Sequence, residues 1–438
     1  MAISKHLSNA QIYHIDDYGI QLSDLDRNAV KITKKLQNAG YQAYLVGGCV
    51  RDLLLGLHPK DFDVATNAEP EQIAKVFNNC RLIGRRFRLA HLHFGRDVIE
   101  VATFRGPSGE SQQTVNKKDK TSRVLKDGRL LRDNVYGTME EDAWRRDFTV
   151  NALYLDPQTH SIIDFVNGMQ DHQHKSLQLM GEPIARYKED PVRLLRAIRF
   201  SAKLSFDIAP ESETPIADMA GLLKDIPAAR LYEEALKLFL NKNACRVFEL
   251  LQKYKLFEAL FPQTEYSLLK AKTDAPLKML KQAMLNTENR LKNEQGIAPY
   301  FMFAVLLWEP IRQISEKNHA KFTSDTLSLH AAANDVVSKQ VSRIALPRRL
   351  TTPMREVWTM QPRFLKRVGI RSVRFLDHPR FRAAYDFMLL RSEIGEVDPE
   401  IAAWWTEIQT VSSAQKKAMT RPPRAKKKPR KKAEDNDS

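Results

Sequence analysis

Two carboxylates one residue apart, Asp61 and Asp63, follow a Gly47-Gly48 pair by fourteen residues. On an extended strand side chains alternate, so Asp61 and Asp63 share one face while Phe62 and Val64 take the other. Two convergent carboxylates suit a hard divalent cation, Mg²⁺ or in its place Mn²⁺. Upstream, Ala43-Tyr44-Leu45-Val46 reads as a short buried strand, Gly47-Gly48 as a tight turn, and residues 50–55 as the first turns of a helix that carries Arg51. A glycine turn lets backbone N–H groups approach a triphosphate closely, and a cation on Asp61 and Asp63 would bridge its oxygens and lower the pKa of an attacking hydroxyl. Taken singly, a Gly-Gly pair is a turn and an Asp-x-Asp a strand end; the ordered combination is what carries chemistry.

Two further stretches combine charge with local order. Arg145-Arg146-Asp147-Phe148-Thr149-Val150-Asn151-Ala152-Leu153 sets two cations and a carboxylate before an apolar segment, the pattern of a capped, salt-bridged helix end. Glu189-Asp190-Pro191-Val192-Arg193-Leu194-Leu195-Arg196 opens like a helix, with Asp190 as N-cap and Pro191 at the first helical position. Arg193 and Arg196 then lie three apart on one face. A donor-only guanidinium beside an acceptor-only carboxylate complements a base edge, adenine offering N1 as acceptor and its 6-amino group as donor. Glu100, on a strand predicted over 98–104, would suit a metal with Asp61 and Asp63 if that strand runs beside theirs.

The run Leu45-Val46-Gly47-Gly48-Cys49-Val50-Arg51-Asp52-Leu53-Leu54-Leu55-Gly56, followed by Lys60-Asp61-Phe62-Asp63-Val64-Ala65-Thr66, resembles the signature of the class II nucleotidyltransferases. That superfamily comprises the CCA-adding tRNA enzymes and the bacterial poly(A) polymerases. The resemblance implies transfer of a nucleoside monophosphate from an NTP to an RNA 3′-hydroxyl, with release of pyrophosphate. It implies that Asp147 joins Asp61 and Asp63 as the third catalytic carboxylate, with Glu100 kept as the alternative, and that Arg146 and Asn151 hold the triphosphate or ribose. Gly47, Gly48, Arg51 and Arg196 count with the nucleotide-binding residues. Asp190 and Arg193, in a Glu-Asp-x-x-Arg element, read the incoming base without a template. Between the two branches residues 82–94 discriminate: CCA-adding enzymes tend to carry Gly-x-x-Phe-Gly, whereas here Arg88 follows Phe87, as in the poly(A) polymerases, with Leu92 as the main departure. Histidines 91 and 93 in this run alternate along a half-buried strand and make no metal set. The resemblance continues through residues 226–234, 347–349, Trp358, 378–386 and Trp404-Trp405, and carries nothing over for 106–133.

The elements that must position these residues follow from periodicity. Residues 25–39 read as an amphipathic helix, and strands at 81–83, 90–94 and 98–104 alternate with helices into a mixed sheet. From residue 183 onward three-to-four-residue apolar spacing predicts helix throughout, over 191–202, 231–240, 244–253, 298–307 and 381–390. The expected fold is an α/β nucleotidyltransferase head with a mixed sheet, followed by all-α neck and body domains. The expected boundaries are a polar N-terminal arm at 1–24, a catalytic head at 25–170, a helical neck at 171–240, a helical body at 241–410 and a disordered basic tail at 411–438. Residues 106–133 read as a mobile loop.

The 438 residues are 43% hydrophobic and 28% charged, an ordinary globular composition with no apolar run of membrane-spanning length and no signal-like N-terminus. A cytoplasmic setting is expected. Cys49, Cys80 and Cys245 show no CxxC pairing, so neither disulfides nor zinc are signalled, and each is expected to be a small core residue. Ten Lys or Arg against three acids lie in 416–438; removing that +7 from the total of +16 still leaves +9. A basic chain with a nucleotidyl-transfer motif points to a nucleic-acid partner. Arg85, Arg86, Arg88, Lys426, Lys427 and Lys428 are the expected RNA contacts. The expected activity is template-independent polyadenylation of RNA 3′ ends from ATP, promoting RNA turnover; by resemblance the RNA-decay machinery is a further partner, and a monomer is expected. The alternatives are a CCA-adding tRNA enzyme, which must also accept CTP, and a noncatalytic RNA-binding scaffold, which would be expected to have lost one of Asp61, Asp63 and Asp147.

Overall fold

The computed structural model describes residues 9–84, 88–106 and 135–421. The chain divides into two units, 1–223 and 224–438. The expected neck at 171–240 is therefore split: its first helices pack with the head, and the helix Ala228–Phe239 belongs to the second unit.

The first unit is built on an eight-stranded sheet in the order β1-β8-β7-β2-β3-β6-β5-β4. Its strands are β1 (Gln11–His14), β2 (Ala43–Val46), β3 (Asp63–Thr66), β4 (Cys80–Ile83), β5 (Leu89–Phe94), β6 (Asp97–Thr103), β7 (Leu153–Asp156) and β8 (Ser161–Asp164). All neighbours are antiparallel except β3 and β6, so the sheet is mixed as expected. One prediction fails at the N-terminus: Gln11–His14 is no arm but an edge strand paired with Ser161–Asp164, which short-range periodicity in four half-exposed residues does not reveal.

Alternation along the strands gives the sheet two different faces. Leu45, Val64, Ile99, Val101, Leu153 and Leu155 point to one, where α1 (Arg27–Asn38), α2 (Gly48–Leu54) and α3 (Pro70–Val76) bury Ile32, Leu36, Val50, Leu53 and Ile73. Helix α1 starts where Asp26 accepts from the backbone N–H of Asn28 and Ala29, both at 2.8 Å, a cap that stabilises by about 1 kcal/mol. Each aliphatic side chain of that face contributes roughly 1.5–3 kcal/mol on burial. The opposite face carries Val46, Ala65, Tyr154 and Ile163 and is covered by α4 (Met139–Arg145) through Met139 and Ala143. After this sheet come α5 (Gly168–Gln173), α6 (Pro183–Glu189) and α7 (Val192–Leu204). Among the described residues after 183 one strand breaks the helical run, where Asp207–Ile208 pairs in parallel with Ser176–Leu177.

The second unit is helical, as its periodicity predicts, with Ala244–Lys253, Ala275–Lys292, Asp325–Arg343, Arg348–Thr359, Phe381–Glu393 and Pro399–Thr410 among its helices. Trp405 is fully buried against Phe364, Phe375 and Phe381 and donates its indole N–H to the Phe364 carbonyl at 2.8 Å. The predicted tail begins too early. Ser412 caps a helix at Ser413–Met419, and the Thr420 carbonyl accepts from Gly369 N–H at 2.7 Å, so the chain is folded through 421. Of the cysteines only Cys49 is buried; Cys80 and Cys245 are partly exposed. No helix among the described residues is long and apolar enough to cross a membrane.

Candidate active site

Strand register brings the motif residues together at one end of the sheet. Val46, the last residue of β2, pairs with Asp63 on one side and with Tyr154 on the other. The Gly47 turn, the Asp61–Asp63 segment and the start of β7 after Asn151 therefore meet. Asp61 precedes the first paired residue of β3, but alternation holds: both carboxylates are exposed while Phe62 packs on the core of the first face. On β6 Val101 pairs with Val64, which sets Glu100 beside Asp63 on the same face, and His91 of β5 lies across from Glu100 at 3.4 Å.

Asp63 is exposed, yet the protein around it partly desolvates its carboxyl. Desolvation, then repulsion from Glu100, push its carboxyl up to about 6; Arg146 opposes the rise and Asp61 adds to it. Neighbouring carboxylate oxygens of this kind fit a divalent cation, although among the described residues no three His, Cys, Asp or Glu side chains close a complete cage. Two carboxylates with substrate phosphates are the usual holding of Mg²⁺. The raised pKa has a sign. Between about pH 4 and 6 the folded protein keeps a proton that the unfolded chain has lost, so ionisation of Asp63 opposes folding as pH rises, and a bound cation must displace that proton below pH 6. Mn²⁺ affinity measured by calorimetry should therefore fall below about pH 6, approaching tenfold per pH unit, with proton release at pH 5.5 and almost none at 7.5. A flat profile would show that Asp63 is not a ligand.

Gly47 adopts φ +79°, a conformation that side chains strain to reach, and a Cβ there would stand 3.2 Å from Nη1 of Arg146. Its own N–H donates to the Leu153 carbonyl at 3.3 Å, so of the glycine pair only Gly48 keeps an amide clear of this sheet bond. Arg146 is held by Asp142 (3.0 Å), the Tyr154 hydroxyl (3.4 Å) and the Asn151 carbonyl (3.4 Å), and Tyr154 in turn donates to Asp142 at 2.7 Å. Burial works against this guanidinium's charge, but the tyrosine and carboxylate outweigh it and raise its pKa. Arg146 is thus a fixed cation next to both the glycine turn and Asp63.

The other expected nucleotide ligands are largely spent on one another. Arg51, almost wholly buried, donates to the Asn151 side-chain oxygen at 2.6 Å and to Asp52 at 2.5 and 2.9 Å. The Asn151 amide donates to Asp147 at 3.1 Å, and Arg196 lies 2.6 Å from the second Asp147 oxygen. Phe148 N–H also donates to Asp147. Oδ1 of Asp147 accepts from Asn151 and Phe148, while its buried Oδ2 is ion-paired with Arg196 but accepts no hydrogen bond among the described residues; Glu100 bears on Asp63 electrostatically. Asp147 thus ties Arg196 to Asn151, while Glu100 stands on the strand beside Asp63.

Asp190 accepts from Val192 N–H at 3.2 Å, close to the predicted cap, although the helix itself begins at Val192. Arg193 donates to Glu189 at 2.8 Å and to the Arg186 carbonyl at 2.7 Å. Arg88 pairs with Glu71 on the surface, a contact weak enough to exchange for a phosphate. Arg85, Arg86, Lys426, Lys427 and Lys428, and the loop predicted at 106–133 but for its first residue, lie outside the described residues. Sequence reading did not single out Asp142, Tyr154 or Arg186. The spacing of Asp142 and Arg146, four apart in the helix that a capping box at Thr138 opens, was a usable signal.

Residues 43–178 match the family described as the Poly A polymerase head domain, 205–268 that described as a probable RNA and SrmB-binding site of polymerase A, and 323–437 its arginine-rich C-terminus. The chain is 44% identical over 433 residues to Poly(A) polymerase I of Salmonella typhimurium, covering 95% of this chain and 91% of that protein. The CCA-adding enzyme of Lactobacillus helveticus is 32% identical over 56% of this chain and 61% of its own length. Among solved structures, a Thermotoga maritima CCA-adding enzyme complexed with tRNA has the same fold, with a TM-score of 0.58 at 20% identity over 90% of this chain and 85% of that one. Identity sustained through head and helical body alike, and the acidic row beside a glycine turn, lead to one assignment: the chain belongs to the poly(A) polymerase I family of class II nucleotidyltransferases.

Proposed function

We propose that this chain transfers AMP from ATP to RNA 3′-hydroxyls without a template, releasing pyrophosphate. The observation that carries it is the gathering of Asp61, Asp63 and Glu100 beside the Gly47 turn and the fixed Arg146. Asp61 and Asp63, with Glu100 next to them, would hold Mg²⁺ or Mn²⁺, which when bound lowers the pKa of the attacking hydroxyl and neutralises the departing pyrophosphate. Arg146 adds a cation that needs no reorganisation as charge develops, because Asp142 and Tyr154 already orient it. Arg51, Asn151, Asp147 and Arg196 act as the frame beneath the nucleotide, and Asp190 with Arg193 reads the adenine edge. RNA 3′ ends are the acceptor; the setting is the cytoplasm, and RNA-decay proteins are the partners in keeping with the family.

Incubation with a generic RNA, Mg²⁺ and each NTP separately tests the proposal. ATP should give long extension; addition of only a few residues, with CTP also accepted, would favour CCA addition, and no extension would favour a scaffold. In the same assay Arg193→Ala should lower the preference for ATP over CTP by about tenfold or more, the value of one or two lost charge-assisted hydrogen bonds. Unchanged discrimination would remove Arg193 from base reading.

A further inference from the structure

Arg186 occupies a position that no catalytic or binding role explains. It sits in α6, outside both the Arg-Arg-Asp and Glu-Asp-x-x-Arg elements, and all three of its guanidinium nitrogens are bonded. Nε donates to the Met180 carbonyl at 3.1 Å, Nη2 to the carbonyls of Arg145 and Arg146 at 2.9 and 2.7 Å, and Nη1 to Glu189 at 2.7 Å. The two arginine carbonyls end α4, where backbone acceptors lack intrahelical partners and the helix dipole favours a cation. On its other side Arg186 reaches Arg193 twice: its own carbonyl accepts from Arg193 Nη1 at 2.7 Å, and the Glu189 oxygen that it holds accepts from the same nitrogen at 2.8 Å.

We infer that Arg186, with Glu189, is a specificity-positioning bracket that fixes the Arg193 guanidinium against the backbone of the Arg-Arg-Asp element, so that the residue reading the base and the residue flanking the metal carboxylates keep one spacing. The inference rests on the reading of Arg193 as the base reader. Arg193 has several rotatable bonds and only its Nη1 is committed to the bracket, so a fixed direction for its remaining donors depends on that nitrogen being held. Glu189 is half-exposed and alone would be a soft anchor; a second guanidinium on the same oxygen removes its freedom to swing. Burial works against charge on Glu189, but Arg193 and then Arg186 outweigh it and keep the carboxylate below its ordinary range. Lysine cannot replace Arg186, because a single ammonium cannot span two carbonyls, a third carbonyl and a carboxylate at once.

The test compares kcat/KM for ATP and CTP on one RNA in the wild type, Arg186→Met, Arg186→Lys, Glu189→Gln and Arg193→Ala. Arg186→Met and Glu189→Gln should each lower the ATP-to-CTP ratio about tenfold or more, by loss of ATP use with CTP use little changed, and Arg186→Lys should fail to restore it. Mn²⁺ affinity should stay at the wild-type value in all of them. If Arg186→Met does not fold, Glu189→Gln carries the same expectation, since it leaves the carbonyl bonds of Arg186 in place. Equal losses for ATP and CTP would mean a merely structural arginine and overturn the bracket. Arg193→Ala separates the two ideas: a changed ratio there with none at Arg186 or Glu189 rejects the bracket alone, whereas an unchanged ratio at Arg193 rejects the base reading beneath it.

Discussion

Asp63→Asn should abolish measurable RNA extension, a loss of about a thousandfold or more, because it removes a hard anionic ligand from the place where the nucleophile and triphosphate must share a cation. The fold should survive. Asp63 is exposed, and it stands among like charges that push its carboxyl up to about 6 in the absence of a cation. Replacing it with a neutral isostere removes that repulsion, so without metal the variant should melt at the wild-type temperature or above at pH 7.5. The difference should shrink as pH falls below 6, where wild-type Asp63 takes up its proton. Divalent cation should raise the melting temperature of the wild type and much less that of the variant. Extension at a wild-type rate by Asp63→Asn would remove the metal site; a large drop in melting temperature would instead assign the inactivity to misfolding.

The second large effect separates the two acidic residues that compete for the third carboxylate role. Asp147→Ala should destabilise the first unit by about 2–3 kcal/mol, since it leaves the Asn151 amide and Phe148 N–H without their acceptor and Arg196 without its ion-pair partner. The figure lies below that for a fully buried pair because Arg196 is about one-third exposed. Mn²⁺ affinity of the folded fraction should be nearly unchanged. Glu100→Gln should do the opposite, weakening Mn²⁺ binding and extension while leaving the melting temperature within about 1 °C, as expected of an exposed strand position. Lost metal binding in Asp147→Ala, with stability intact, would restore Asp147 to the metal site.

Several features were legible locally. The shared face of Asp61 and Asp63 follows from alternation within three residues, and the strand–glycine–helix order around Gly47 from composition within twelve. The helices Ala244–Lys253 and Phe381–Glu393 follow from apolar spacing that any amphipathic helix must show to bury one side. The resemblance to the family was legible in such short runs too, because the motif residues are adjacent in the chain.

What only the tertiary structure decided involves residues far apart along the chain. Gln11–His14 has too few buried side chains to announce a strand, and becomes one because Ser161–Asp164 offers it unpaired backbone groups. Asn151 and Arg51 are 100 positions apart, and a bond at 2.6 Å joins these two expected nucleotide ligands to each other. The surroundings of Asp147 and Glu100 are likewise a matter of register and docking: pairing of Val64 with Val101 sets Glu100 beside Asp63, while Arg196 arrives from α7 to pair with Asp147. Residue types and spacing determined which groups could bind a metal, a phosphate or a base. Register and helix docking decided which of them are left free to do so, because a donor or carboxylate buried against a protein partner is satisfied there and no longer faces the substrate.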